Sequence, residues 1–137
     1  MPVNATNDKL GWLAPSFNLL DISDNYVSLD QLKGDNGTVI AFICNHCPYV
    51  IAIAERLSFE AKELKKLSIN MIAIMSNDVE QYPEDSFDNM KLFAKKYDFE
   101  FSYLYDETQE VAKSYGAVCT PDIFGFNSSL EIGRAHV

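Results

Sequence analysis

Cysteine, tryptophan and basic residues are scarce in this sequence. Its 137 residues include three cysteines and one tryptophan, and 11 Lys and Arg stand against 20 Asp and Glu, which gives a net charge of −9. Three cysteines are too few for a disulfide-rich secreted scaffold. The negative charge argues against nucleic acid or an anionic membrane surface as a partner.

Long apolar segments are also missing. The longest, 39–43 and 71–75, are far too short to cross a bilayer. The first eight residues show neither the basic nor the apolar part of a secretory signal. No Gly-rich phosphate loop or other cofactor motif is present, so we expect no cofactor. With 47% apolar residues to build a core, the sequence predicts one cytoplasmic domain over residues 1–137.

The apolar segments alternate between strand and helix patterns. Apolar, β-branched runs at Thr38–Ile43 and Ile69–Met75 predict buried strands. Apolar residues three and four apart predict a long helix after Pro48 and another over Ser86–Tyr97. Shorter predicted elements are a hairpin over 17–29, a strand over 101–105, a helix over 108–115 and a hairpin over 123–132. Strands joined through helices need a largely parallel sheet covered on both faces, so we expect an α/β sandwich finished by antiparallel strands.

Two of the cysteines belong to the segment Cys44-Asn-His-Cys47-Pro48, at the predicted junction of strand and helix. Amide donors and the positive end of a helix dipole lower the pKa of a thiol there and favour the thiolate. A two-residue spacer lets one helical turn bring both sulfurs within bonding distance, which serves reversible thiol–disulfide exchange. As a hypothesis, His46 stabilises the reduced thiolate and makes the pair more oxidising.

A zinc site is an alternative interpretation of the cysteine pair. Structural zinc needs four ligands, and His46, Cys119 and His136 are the candidates for the other two. The sequence has no second CxxC and no HxxxH, which disfavours zinc, and we predict no metal. His46 could also be a plain surface residue.

A second segment of interest is Val118-Cys-Thr-Pro-Asp122, which leads into a predicted strand. An X-Pro bond at such a point can be cis or trans. Cys119 alone is most often a small buried residue, although it could serve as an extra thiol near the pair. Four acidic residues follow the second predicted buried strand, in the loop and the first turn of the next helix. We expect them to form a solvated loop and helix start: Glu80, Glu84, Asp85 and Asp88.

Together these motifs resemble thioredoxin-like redoxins of the alkyl hydroperoxide reductase and thiol-specific antioxidant family, which is peroxiredoxin-like. The resemblance covers roughly residues 11–132 and is carried by five segments: Ala14–Phe17, Cys44–Val50, Ser76–Asp78, Tyr82–Asp85 and Val118–Asp122. It implies a thioredoxin-like three-layer sandwich with a central mixed sheet and an N-terminal β-hairpin.

The resemblance also implies roles for the site residues. Cys44 would be the more exposed nucleophile and Cys47 the resolving thiol, with Asn45 and His46 tuning the reduction potential. Pro121 would be a cis-proline that packs opposite the pair, and Thr120 would pair with an extended substrate segment. Cys119 would lie near the site.

The sequence departs from the peroxidase pattern of that family. Peroxiredoxins use Pro-x-x-x-Thr/Ser-x-x-Cys with an arginine that orients the peroxide. Aligned on Cys47, this chain has Cys44 in the Thr/Ser position and Ile40 in the proline position, and its only arginines are Arg56 and Arg134. The departure disfavours efficient peroxidase activity.

The chain ends soon after the predicted C-terminal hairpin. A thioredoxin-like fold normally continues with the rest of an edge strand and a final helix. We therefore expect a truncated C-terminal strand and helix, with 133–137 as a possible non-native tail. Loss of that helix would expose apolar sheet surface and favour self-association.

The leading function prediction is a thiol–disulfide oxidoreductase that cycles Cys44 and Cys47 between dithiol and disulfide. Its partners would be a protein or small-molecule disulfide and an unidentified thiol reductant. One alternative is a peroxide-reducing, peroxiredoxin-like antioxidant enzyme. Another is a non-catalytic thioredoxin-fold module that binds a partner or holds a metal.

Overall fold

The computed structural model describes residues 12–117 and 120–134. Within them lie seven strands: β1 (Asn18–Asp21), β2 (Tyr26–Ser28), β3 (Gly37–Phe42), β4 (Ile69–Met75), β5 (Ser102–Tyr105), β6 (Asp122–Phe126) and β7 (Ile132–Arg134). The helices are α1 (Leu29–Leu32), α2 (Pro48–Lys65), α3 (Phe87–Lys96) and α4 (Glu110–Tyr115), and a 3₁₀ turn over Pro83–Asp85 precedes α3.

The strands form one mixed sheet in the order β2-β1-β5-β4-β3-β6-β7. The central β5, β4 and β3 are parallel, whereas the pairs toward both edges are antiparallel. Parallel neighbours need a crossover through a helix, which α2 and α3 supply. The α/β sandwich with an N-terminal hairpin that the sequence predicts is thus confirmed.

The sheet separates two apolar cores. On one face α2 and α3 pack through residues such as Val50, Ala54 and Met90, which are fully buried. On the other face Tyr115 of α4 packs against Phe42 and Phe124. Burying each large apolar side chain contributes on the order of 1.5–3 kcal/mol, so the two layers hold the sheet from both sides.

The long helix α2 sets the position of the cysteine segment. Pro48 is its first residue and Cys47 is its N-cap. Proline suits a first helical position because the helix needs no amide donor there. The cysteine pair therefore lies at the junction of strand and helix. Cys47 directly precedes the first helical residue, and Cys44 lies three residues before Cys47.

The observed secondary structure differs from the predicted elements in two places. Helix α1 was not predicted; Ser28 begins it through a capping box with Gln31. Strand β7 continues to Arg134, beyond the predicted hairpin, so the predicted tail starts inside a strand. Residues 135–137 lie outside the described residues. No helix in the described part of the chain is both long and apolar enough to span a bilayer.

Candidate active site

The cysteine segment continues the central strand β3 at its carboxyl end. The Ile43 amide still donates to the Ile74 carbonyl of β4 at 3.0 Å, so the chain leaves the sheet only at Cys44. Binding and reaction sites of α/β sheets gather at this end of the strands. The position of the pair is therefore that of a functional site.

Cys47 lies at the N-terminus of α2 and is partly exposed. Partial burial raises its pKa, but the backbone amide of Val50, the Thr120 side chain, the amide of Tyr49 and the Cys44 thiol outweigh that effect. The net result is a pKa below that of an ordinary thiol, as expected for a cysteine at a helix start. Cys47 therefore forms its thiolate more readily than an ordinary cysteine does.

Cys44 lies in the opposite environment, with 1% of its surface exposed. Burial raises the pKa of its thiol, the Thr120 hydroxyl lowers it, and the negative charge of Asp85 raises it again; the net shift is upward. The implied order of exposure is therefore wrong: Cys47, not Cys44, is the accessible cysteine. The reason is that Cys44 lies at the carboxyl end of the buried strand β3 and belongs to the core, whereas Cys47 is the N-cap of α2 and is partly exposed.

The Thr120-Pro121 segment faces both sulfurs. Its peptide bond is cis, as the resemblance implied. The Thr120 hydroxyl lies 3.4 Å from Cys44 Sγ, and the Cys47 thiol donates to the Thr120 carbonyl at 3.5 Å. A cavity of about 230 Å³ opens beside Thr120, next to Phe42 and Asn77. Cys119, the predicted extra thiol, lies outside the described residues.

Asn45 fixes the loop between the two cysteines. Its side-chain amide donates to the Glu84 carbonyl at 3.1 Å, and its side-chain oxygen accepts from the Tyr103 hydroxyl at 2.8 Å. Burial, and then the charges of Asp85 and Cys44, raise the pKa of Tyr103 well above its usual range, so the phenol stays a donor. These contacts hold the loop shape that keeps the cysteines at the site.

His46 points toward a carboxylate and not toward solvent alone. Its Nδ1 lies 2.7 Å from Asp85 Oδ2, although that nitrogen is not aligned for a hydrogen bond. The Tyr82 ring stacks on the imidazole with centroids 4.8 Å apart and planes 12° apart. The stack and the carboxylate together hold the ring next to the cysteine pair.

Asp85 was expected in a solvated acidic loop, and the structure corrects this. It is completely buried, at the end of the 3₁₀ turn that precedes α3. The backbone amide of Asn45 donates to Asp85 Oδ1 at 2.7 Å, and the side-chain amide of Asn77 donates to Asp85 Oδ2 at 3.0 Å. In an acidic run, nothing in the sequence distinguishes the one carboxylate that turns inward. The sequence alone does not indicate that Asp85 is a site residue.

One group of donor atoms at the site could hold a metal ion. Donor atoms of Cys44, His46 and Asp85 all lie within 4.8 Å of one another. Of the zinc ligands considered from the sequence, His46 belongs to this group, whereas Cys119 and His136 lie outside the described residues. Because the group shares Cys44 with the thiol pair, metal binding and redox chemistry would compete for the same sulfur.

The fold and the site together define a class. A mixed sheet covered on both faces, a CxxC pair between the central strand and a helix, and a cis-proline segment against both sulfurs make this a thioredoxin-fold dithiol protein. The sequence model of the AhpC/TSA family matches residues 10–136, and the chain belongs to that family. The resemblance found in the motifs is confirmed.

Individual relatives agree with this placement. Chloroplast peroxiredoxin Q of Oryza sativa subsp. japonica is 32% identical over 117 residues, which are 84% of this chain and 48% of that protein. This chain thus spans about half the length of the curated relatives it matches. An uncharacterized conserved protein from Geobacillus kaustophilus is 48% identical with a TM-score of 0.88, over 90% of this chain and 66% of that one. A secreted disulfide oxidoreductase of Mycobacterium tuberculosis, 19% identical with a TM-score of 0.72 over 88% of this chain and 81% of that one, shares the fold.

Proposed function

We propose that this protein is a thiol–disulfide oxidoreductase in which Cys47 is the nucleophile and Cys44 is the resolving thiol. The observation that carries the proposal is the contrast between the two thiols. Cys47 is accessible, lies at a helix N-terminus and has a lowered pKa, whereas Cys44 is buried behind it with a raised pKa. Because the thiolate is the attacking species, the first attack falls to Cys47.

The exchange takes two steps. The Cys47 thiolate attacks one sulfur of a substrate disulfide; a Cys47–substrate disulfide forms, the substrate S–S bond breaks, and the departing thiolate takes up a proton. Cys44 then loses its proton and attacks the Cys47 sulfur, which releases the second substrate thiol and leaves a Cys44–Cys47 disulfide. Two electrons pass to the substrate, and a thiol reductant returns the pair to the dithiol.

Thr120 supports this proposal from the substrate side. Its carbonyl and hydroxyl lie against the two sulfurs, at the start of the segment that leads into β6. An extended peptide that carries a disulfide can pair with such a segment, as in strand addition. The cavity beside Thr120 offers room for one substrate group.

Peroxide reduction is the second candidate, because the curated relatives carry the name peroxiredoxin Q. The Cys47 thiolate would then attack one peroxide oxygen, the O–O bond would break, and the other oxygen would leave as water or an alcohol, so that Cys47 becomes a sulfenic acid. Cys44 would condense with the sulfenic acid to form a disulfide and release water. The Arg56 side chain is 78% exposed and pairs with Glu60 at 3.2 Å on α2, which gives no support to a role in orienting a peroxide at the pair. This observation supports disulfide exchange as the first candidate.

A mass-spectrometric experiment tests the proposal. Reduced protein with Cys119→Ser is mixed either with oxidised glutathione or with hydrogen peroxide, and the intact mass is followed from seconds to minutes. With glutathione we expect loss of two hydrogens from the pair, a stable glutathione adduct on Cys47 in Cys44→Ser, and a reaction slower by at least about 10³-fold in Cys47→Ser.

Other outcomes would contradict the proposal. A sulfenic acid on Cys47 within seconds of peroxide addition, with slow reaction toward glutathione, would support the peroxidase. An adduct that forms on Cys44 in Cys47→Ser at the wild-type rate would reverse the roles. Stoichiometric zinc with both thiols blocked to alkylation would support a metal-holding module instead.

A further inference from the structure

Three side chains with metal-binding donor atoms meet beside the cysteine pair. Donor atoms of Cys44, His46 and Asp85 all lie within 4.8 Å of one another, although Asp85 comes from a distant segment of the chain. A thiolate, an imidazole and a carboxylate are ligand types that zinc takes in proteins. The sequence disfavoured zinc because it has neither a second CxxC nor an HxxxH, whereas the fold supplies a carboxylate that no such motif contains.

The distances in this group suit a tetrahedral ion after a small adjustment. Zinc binds sulfur at about 2.3 Å and nitrogen or oxygen at about 2.0 Å, so neighbouring ligand atoms lie about 3.3–3.8 Å apart. The 2.7 Å between His46 Nδ1 and Asp85 Oδ2 is shorter than this, so the imidazole has to move slightly away from the carboxylate. The ring can make this shift because 29% of the His46 side chain is exposed and its stacking partner Tyr82 is exposed as well.

The imidazole offers a nitrogen that needs a partner. His46 Nδ1 is shielded from solvent and, among the described residues, has no aligned hydrogen-bond partner. A buried polar atom without a partner is destabilising, so such an atom in a native structure calls for an explanation. An ion between the ring and the carboxylate of Asp85 would provide the partner.

The carboxylate of Asp85 is already held in a fixed direction. The backbone amide of Asn45 donates to Oδ1 and the side-chain amide of Asn77 donates to Oδ2, at 2.7 and 3.0 Å. Carboxylates that bind metals are oriented by hydrogen bonds of this kind. In the part of the chain that the structure describes, this buried carboxylate has His46 and no lysine or arginine as its ion-pair partner, and a divalent cation would offset its charge.

Cys47 is placed to supply a fourth ligand. Its sulfur contacts the Cys44 thiol, and both sulfurs lie against Thr120. Because Cys47 is partly exposed at the start of α2, an ion can reach the group from solvent on this side. Two thiolates completed by nitrogen or oxygen ligands form a tetrahedral set that favours zinc among the divalent ions.

We propose that the reduced site binds one zinc ion, and that the bound ion stops disulfide exchange until it is released. The ligands are four side chains: Cys44, Cys47, His46 and Asp85. This inference rests on the proposed function and adds a regulator to it. Both thiols lose their protons to solvent when the ion binds, and the bound sulfurs are not free to attack a substrate. The oxidised pair offers no thiolate and does not bind the ion.

Cobalt(II) tests the site spectroscopically in the Cys119→Ser, His136→Gln protein, which lacks the two other candidate ligands. We expect one cobalt ion per reduced protein, with the intense visible bands of tetrahedral coordination and a thiolate charge-transfer band. Zinc should displace cobalt and abolish both signals. The oxidised protein is the control that needs no further variant, and it should show neither band. An octahedral spectrum, or no binding by the reduced protein, would overturn the proposal.

Competition with a chromophoric chelator measures the contribution of the two ligands that are not thiols. We expect Asp85→Asn and His46→Ala each to weaken zinc binding by at least about 10- to 100-fold, the range known for loss of groups that only support a ligand. Asp88→Asn is the matched control, because it removes the same charge from an exposed position in the same region. His46 is partly exposed, so its variant keeps the test valid if Asp85→Asn does not fold. Wild-type affinity in His46→Ala and in folded Asp85→Asn would mean that the thiols alone hold the ion, and would overturn the proposal.

Stopped flow with Ellman's reagent tests the regulatory effect. One equivalent of zinc should slow the release of thionitrobenzoate from the reduced protein by at least about tenfold, because bound thiolates are withdrawn from attack. EDTA should restore the rate, and the same zinc concentration should slow His46→Ala less. An unchanged rate in zinc-loaded protein would contradict the regulatory role.

The two proposals fail in different ways. Protein that exchanges disulfides but binds neither cobalt nor zinc would remove the zinc site and leave the exchange function standing. Protein that binds one ion and stays inactive toward oxidised glutathione after the ion is removed would overturn the exchange function and the regulatory role together, and would leave a metal-holding module.

Discussion

The two cysteines of this site are separated by two residues and lie in contrasting regions of the molecule. Cys47 belongs to the start of a helix, where amides and a hydroxyl favour its negative charge. Cys44 belongs to the core at the carboxyl end of the central strand β3, where burial and a carboxylate disfavour that charge. The difference shows that sequence spacing makes a disulfide possible, whereas the helix boundary decides which thiol reacts first.

The largest expected effect is the difference between the pH values at which the two thiols become reactive. Because the pKa of Cys47 is lowered and that of Cys44 is raised, the Cys47 thiolate exists at lower pH. Iodoacetamide should modify Cys47 with a half-rise at a lower pH than for an ordinary thiol, and Cys44 with a half-rise at a higher pH. At pH 7 we expect Cys47 to react at least about tenfold faster, since each pKa unit changes the thiolate fraction tenfold.

Peptide mass spectrometry of the Cys119→Ser protein measures both rates between pH 5 and 10. The same protein unfolded in urea is the control, and its two thiols should titrate alike. Faster modification of Cys44 in the folded protein would break the comparison.

A smaller effect is expected from Thr120→Val, which removes the hydroxyl and keeps the shape. The Thr120 side chain lowers the pKa of both thiols, so both pKa values should rise in the variant. The alkylation rate of Cys47 at pH 7 should fall by about 3- to 10-fold, which lies within the net ~0.5–1.5 kcal/mol expected for one typical hydrogen bond. The exposed Thr108→Val provides a matched control. An unchanged rate would mean that the helix amides act alone.

The smallest effect is expected from His46→Ala. The groups that lower the pKa of Cys47 are two amides, Thr120 and Cys44, whereas the imidazole lies against Asp85. We expect the alkylation rate of Cys47 at pH 7 to change by less than about threefold. A fall of tenfold or more, measured in the same assay, would instead support the hypothesis from the sequence that His46 stabilises the thiolate.

Most of the fold was predictable because its elements repeat strong local patterns. The β-branched run before Cys44 formed β3, and the stripe after Pro48 formed α2. Helix α1 was missed because four residues are too few to show a periodicity. The sequence even held the signal for the order of the thiols: Pro48 marks a helix start directly after Cys47.

The site was predictable where the resemblance assigned a role to a residue, and not where only the tertiary packing brings the residue to the site. Cys44, Cys47 and Thr120 were expected together, and their sulfur and oxygen atoms do meet. Asp85 comes from a 3₁₀ turn 38 residues after Cys47, and only the packing of that turn under the loop shows that it is buried. Burial of one acid within an acidic stretch is a property of the tertiary structure.

The position of Trp12 has a practical consequence for measurements of the intrinsic fluorescence of this protein. The one tryptophan of the chain packs against Tyr115 at 5.7 Å and Phe126 at 6.4 Å, in the core on the face of the sheet opposite the cysteines. Its fluorescence therefore reports whether that core is intact and changes little when the thiols are oxidised. Unfolding and oxidation can be recorded as independent signals in one sample.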